Sequence, residues 1–245
     1  MARNAAYHWD LFDPKDYLRR NYAPFLDVDR RILQIVRDFF SRQSFGTRAR
    51  GVDVGTGTNL YPALAMLPFC STISLLEHAP SNRAWLSEQL ATGDGFEGVW
   101  DKFWHVLTEQ EPYGLITDPW ARLCRTAQVR ACDILRPPDG EKWDVGTMFF
   151  VAESITTVPD EFHAALRNFC GLLVPGAPFA ITFMENSAGY EVGHEHFPGY
   201  AVGMSRIRDE LWNLGTELEF RSFDVGTEPL RDGYTGMILV LGHAK

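Results

Sequence analysis

Four carboxylates stand where apolar runs end: Glu77 after Ser71 to Leu76, Asp133 after Gln128 to Cys132, Glu153 after Trp143 to Val151, and Glu185 after Pro178 to Met184. In open αβ sheets ligands bind outside the carboxyl ends of the strands, so acids placed there can hold hydroxyls, amines or protons. The run Gly51-Val-Asp-Val-Gly-Thr-Gly-Thr-Asn-Leu-Tyr61 adds another such end. Gly55 and Gly57 permit a tight turn and close approach of backbone to a ligand. Glu77 follows about twenty residues later, where nucleotide folds place an acid on ribose hydroxyls.

The loop has neither the third glycine of a dinucleotide site nor the Gly-Lys-Ser/Thr of a triphosphate site. A ligand that carries ribose without phosphate is the better match, and S-adenosylmethionine is one. No metal is expected. His194-Glu-His196 lacks a third convincing ligand, and Cys70, Cys124, Cys132 and Cys170 show no paired C-x-x-C spacing, so they read as reduced structural thiols.

The elements that must position these groups follow from hydrophobic periodicity. Arg50 to Val54 and Ser71 to Glu77 are short apolar runs suited to buried parallel strands. Between them, Asn59 to Met66 can begin a helix behind the glycine turn. Val28, Ile32, Leu33, Ile35, Val36, Phe39 and Phe40 recur at helical spacing, with Asp27 or Asp29 placed to cap the helix start. Helices are also expected over Ala79 to Leu90, Pro159 to Leu173 and Arg206 to Leu214, and closing strands over Leu218 to Asp224 and Met237 to Leu241. Residues 93–126, with Trp100, Phe103, Trp104, Tyr113 and Trp120 among acids and prolines, read as an excursion between elements.

The expected fold is α/β: a Rossmann-like, seven-stranded, mostly parallel sheet with an antiparallel final strand. A single domain spans residues 1–245, with residues 1–26 as an N-terminal aromatic cover carrying Tyr7, Trp9, Phe12, Tyr17 and Tyr22. At 245 residues and 45% hydrophobic content the chain can bury one large core. Its net charge of −9 opposes nucleic-acid binding, and no apolar run approaches the length of a membrane span. A cytoplasmic protein acting on a small molecule is expected; the oligomeric state is left open.

Three stretches resemble a known family. Phe12-Asp-Pro-Lys-Asp-Tyr-Leu-Arg-Arg-Asn-Tyr22, the loop Val52 to Tyr61, and Ala165-Leu-Arg-Asn-Phe-Cys-Gly-Leu-Leu-Val-Pro-Gly176 are similar to segments of the small-molecule N-methyltransferases that act on nicotinamide, phenylethanolamine and indolethylamine. The resemblance runs through nearly the whole chain. It implies that Tyr17 and Tyr22 close over S-adenosylmethionine, that Gly55, Thr56 and Gly57 line its amino-acid end, and that Asn59 and Tyr61 complete that loop. It further implies Glu77 on the ribose with Asn82 near the same end, Asp133 and Ile134 beside the adenine, and Phe149 beneath the methionine portion. Glu153 and Glu185 match substrate-binding positions, and two glutamates there resemble the amine-methylating branch.

The expected reaction is therefore methyl transfer to the nitrogen of a small amine, with Glu185 as amine-binding group and proton acceptor and Glu153 orienting a second polar group. The alternatives are O- or C-methylation of a small phenol or activated carbon, and a sensor that binds the cofactor without transfer.

Overall fold

The computed structural model describes residues 1–92, 98–224 and 233–245. Seven strands form the main sheet: β1 (Arg50–Val54), β2 (Thr72–Glu77), β3 (Ala127–Ala131), β4 (Val145–Phe149), β5 (Pro178–Glu185), β8 (Gly215–Asp224) and β9 (Gly236–Ala244), in the order β3-β2-β1-β4-β5-β9-β8. A separate hairpin pairs β6 (Gly189–Val192) with β7 (Glu195–Pro198). Strands β1 to β5 are mutually parallel, and β9 runs antiparallel to both β5 and β8. The chain works outward from β1 to β3, then restarts on the other side of β1 at β4. That reversal opens a crevice at the carboxyl ends of β1 and β4.

Both faces of the sheet are covered, so its central strands are apolar on both sides. Along β9, Met237, Leu239 and Leu241 enter one core while Ile238 and Val240 enter the other. The first core packs under α2 (Asp27–Ser41), α3 (Tyr61–Met66) and α4 (Pro80–Thr92); the second packs under α7 (Pro159–Gly171) and α8 (Met204–Leu211). At about 1.5–3 kcal/mol for each fully buried large apolar side chain, these two layers are the main source of stability.

The strand and helix expectations hold in type, with shifted ends. β4 stops at Phe149 because Phe150 adopts φ 59 and turns the chain out of the ladder. The aromatic excursion is helical, comprising α5 (Trp100–Thr108) and α6 (Pro119–Thr126), and it belongs to the first core, where Trp100, Phe103, Trp104 and Tyr113 are buried. Its first residues, 93–97, lie outside the described residues, as does 225–232 between the closing strands.

Asp27 and Asp29 do not cap α2. Leu26 is its N-cap, with no side-chain cap bond, and Asp29 is instead buried against the hydroxyl of Tyr61 at 3.4 Å. The stretch around His194, for which no strand was expected, is the β6–β7 hairpin. Gly193, at φ 61, and His194 make its two-residue turn, and His196 pairs with Glu191 across it. The amino-terminal cover is a pair of 3-10 turns followed by α1 (Pro14–Asn21). Asp13 caps that helix by accepting from the backbone N–H groups of Lys15 and Asp16.

Candidate active site

The crevice between β1 and β4 is roofed by the cover and the hairpin, and it holds a cavity of about 740 Å³ including its mouth. Its floor is the glycine loop. Gly55 lies at φ 66, and a Cβ there would sit 2.5 Å from Val151 Cγ2. The loop therefore packs directly on the segment that follows β4, an approach that only glycine allows. Gly57, at φ 55, turns its N–H toward the end of β2.

Glu77 receives that N–H. Its Oε2 accepts from Gly57 N at 2.7 Å and its Oε1 from Ala79 N at 2.7 Å. Burial raises its pKa above the ordinary carboxylate range, and the two amides act in the opposite direction by favouring the ionised form. Each carboxylate oxygen retains acceptor capacity beyond these bonds, enough for a pair of hydroxyls. Beneath the loop, Asp53 is fully enclosed; Thr147 Oγ1 donates to it at 2.7 Å, and burial pushes its pKa up to about 7, with the nearby Glu77 charge adding to the rise.

Asn59 and Asn82 test whether this floor fits S-adenosylmethionine. Asn59 Oδ1 accepts from Tyr61 N at 3.3 Å and its side chain also interacts with the Tyr61 hydroxyl, whereas Asn82 Oδ1 is buried and unpartnered. Buried polar atoms are normally satisfied. An unpartnered acceptor on Asn82, beside the carboxylate of Glu77, matches a ligand with hydroxyl and ammonium groups, so the residues fit the cofactor. At the far end, Asp133 accepts from Leu135 N at 3.0 Å and pairs with Arg136, while Ile134 is buried beside it.

Every expected cofactor-side residue lines the cavity except Tyr61: Tyr17, Tyr22, Gly55, Thr56, Gly57, Asn59, Glu77, Asn82, Asp133, Ile134 and Phe149. Tyr61 lies one layer below, stacked on Phe103 at 5.1 Å and edge-on to Phe149 at 5.4 Å. Neither Glu153 nor Glu185 is in the lining. Glu153 is fully buried behind it, its Oε1 accepting from Met184 N at 2.9 Å and from Ser154 Oγ at 3.2 Å. Glu185 is half-buried at the end of β5, where Thr235 Oγ1 lies 3.3 Å from its Oε2.

Residues that sequence reasoning did not assign to the site complete the walls, among them Asn4, His78, Cys132, Ser154, Ile155 and Tyr190. His78, Ser154 and Ile155 adjoin strand-end acids and were within reach of that argument. Tyr190 was hidden by the missed hairpin. It stacks on Phe197 at 5.6 Å and meets Tyr17 at 6.1 Å, so cover and hairpin share one aromatic cluster. Desolvation pushes the Cys132 thiol up to about 11, leaving it protonated and unreactive near neutral pH.

The roof is anchored at three places. Ala2 N donates to Thr157 Oγ1 at 2.6 Å, Asn4 N donates to Glu161 at 2.8 Å, and Asp16 Oδ2 accepts from Gly193 N at 2.9 Å. Among the described residues no lysine or arginine lines the cavity, whereas Glu77 and Asp133 do. An enclosed site with two acids and many rings favours cations.

The profile of the NNMT/PNMT/TEMT family matches residues 2–243. Indolethylamine N-methyltransferase of Mus musculus is 25% identical over 219 residues, covering 84% of this chain and 83% of its own. Among solved structures, the N-methyltransferase NodS from Bradyrhizobium japonicum WM9, in complex with S-adenosylhomocysteine, superposes with a TM-score of 0.56 at 13% identity, over 94% of this chain and 92% of NodS. The DhpI–S-adenosylhomocysteine complex superposes with a TM-score of 0.58 at 12% identity, over 94% and 91% of the two chains. At such identities the superpositions show the shared fold.

Proposed function

Because the chain belongs to the NNMT/PNMT/TEMT family and is an S-adenosylmethionine-dependent methyltransferase, we propose that its acceptor is the nitrogen of a small amine. The observation that carries this reading is the lining itself: a ring of aromatics and no lysine or arginine among the described residues. A cationic amine gains from such walls by attraction to the rings, whereas a phenolate finds no lysine or arginine among the described lining residues to receive its charge.

The cofactor, when bound, supplies a methyl group already activated on a sulfonium. Glu77 would hold its ribose, the Gly55 to Gly57 loop with Asn59 and Asn82 its amino-acid end, Asp133 and Ile134 its adenine, and Phe149 its methionine portion. Tyr17 and Tyr22 would close over it and exclude water. What remains for the protein is to position the nitrogen and remove a proton, and positioning alone can account for about 7–11 kcal/mol of a barrier. The two glutamates would serve the acceptor differently, Glu185 by contact and Glu153 from behind the wall. Glu153 stands directly behind the cavity wall at Ser154, and Glu185 would be reached by an acceptor long enough to extend toward the end of β5.

The test is S-adenosylhomocysteine release across a panel of primary and secondary amines, phenols and pyridines, with Glu185→Gln alongside. Amines are expected to turn over and phenols not. The variant should raise KM for extended amines by about tenfold, the loss of one hydrogen bond to a charged group, with kcat little changed. Turnover confined to phenols would replace this reading with O-methylation.

A further inference from the structure

We propose that Ser154 accepts the acceptor's departing proton and passes it inward to Glu153. The inference rests on the amine reading and deepens it. Glu153 is fully buried and outside the lining, while its neighbour Ser154 is a lining residue. The Ser154 hydroxyl donates to Glu153 Oε1 at 3.2 Å, and the same oxygen is fixed by Met184 N at 2.9 Å. Backbone contacts hold Ser154 in place: its N–H donates to Val151 O at 2.9 Å, and the Tyr190 hydroxyl lies 3.5 Å from its carbonyl.

A serine hydroxyl carries one proton and two lone pairs. With that proton directed at Glu153, any hydrogen bond that Ser154 makes to a guest is one it accepts, which requires a guest bearing a donor such as the N–H of an amine. The arrangement also answers a difficulty of amine methylation. A carboxylate in contact with an ammonium stabilises the charged form and so suppresses the lone pair that must attack. An intervening hydroxyl keeps the negative charge one hydrogen bond away while leaving a path for the proton. In the transfer the N–H bond breaks and its electron pair stays on nitrogen. That proton goes to Ser154 Oγ as the serine's own proton goes to Glu153 Oε1. The hydroxyl is regenerated, Glu153 becomes neutral, and it returns its proton to solvent when product leaves.

The experiment uses the full chain with indolethylamine as probe and compares wild type, Ser154→Ala, Ser154→Thr and Glu153→Gln. S-adenosylhomocysteine affinity, measured by calorimetry, reports whether the cofactor site is intact. The relay predicts unchanged affinity for all four, a kcat about a hundredfold lower in Ser154→Ala with KM within about threefold, and loss of the acidic limb of the kcat–pH profile. Ser154→Thr, which keeps the hydroxyl, restores most of the rate; Glu153→Gln, which keeps an oxygen for Met184 N–H but takes no proton, shows the same loss as Ser154→Ala. If Ser154→Ala retains the wild-type rate and profile on an amine that wild type methylates, the relay is overturned and the amine reading stands. Should Ser154→Ala fail to bind S-adenosylhomocysteine, Glu153→Gln decides, and a wild-type profile there overturns the relay as well. Wild type that binds S-adenosylhomocysteine and methylates phenols but no amine overturns both.

Discussion

Glu77 shows how much one side chain can be asked to do. Two backbone N–H groups orient its carboxylate from opposite oxygens, so replacing one oxygen by an amide must set an NH2 group against an N–H donor. Glu77→Gln should therefore weaken S-adenosylhomocysteine binding about tenfold to a hundredfold, the range for losing a charge-assisted hydrogen bond and leaving a donor unsatisfied. Calorimetric titration checks this, and unchanged affinity would remove Glu77 from the ribose site. At this scale the sequence was informative wherever chemistry and position coincide at a strand end, as at Glu77 and Asp133. It reached Ser154 only as a neighbour of Glu153, because the significance of the serine depends on that carboxylate rather than on its own type. Tyr61, expected to complete the loop, lies one layer lower, because the helix it begins turns the ring down onto Phe103 rather than up into the crevice.

Among the elements, α1 and the β6–β7 hairpin act as two halves of one roof, and Asp16 joins them. The Gly193 N–H is the largest cause of holding its carboxyl down at about 2, ahead of the pairs with Arg19 and Arg20. Exposed ion pairs of that kind contribute at most about 1 kcal/mol, so the amide bond is the one that matters. Since the folded-state pKa is depressed, this contribution is fully present above the unfolded value near ~4 and is lost as pH falls from there through about 2. Asp16→Ala should release the roof at neutral pH. We expect faster trypsin cleavage at Arg19 and Arg20 and S-adenosylhomocysteine affinity down by about fivefold, equivalent to one ordinary hydrogen bond. Unchanged cleavage would show that the aromatic cluster alone holds the two together. Long periodic helices and doubly buried strands were readable from spacing because burial on one stripe or both faces leaves a repeating pattern. The hairpin was not: its strands are four residues each, and its turn at Gly193 and His194 coincides with an H-x-H pattern that drew attention to metal chemistry instead.

For the molecule as a whole, packing helices on the sheet encloses two carboxyls outside the cavity lining, Asp29 on α2 and Asp53 on β1. Burial pushes both Asp29 and Asp53 up to about 7, with hydrogen bonds from Tyr61 and Thr147 opposing the rise. An unfolded chain releases these protons near pH ~4, whereas the folded chain keeps them to about 7. Between those values the native state binds more protons, so stability must fall as pH rises through the window and level off above it. The net charge of −9 works in the same direction through self-repulsion, and a comparison of variants separates the two. Asp29→Asn leaves the Tyr61 hydroxyl an oxygen to donate to and changes the overall charge by only one unit, but it removes the cost of ionising a buried acid. Its advantage over wild type in urea midpoint should therefore be larger at pH 8 than at pH 5. Asp29 is the better choice for this test because Asp53 lies directly beneath the cofactor loop, where Thr56 Oγ1 bonds to its carbonyl. A difference between variant and wild type that stays constant across that range would mean Asp29 is ionised in the native state throughout, its charge stabilised by the Tyr61 hydroxyl more strongly than burial opposes it.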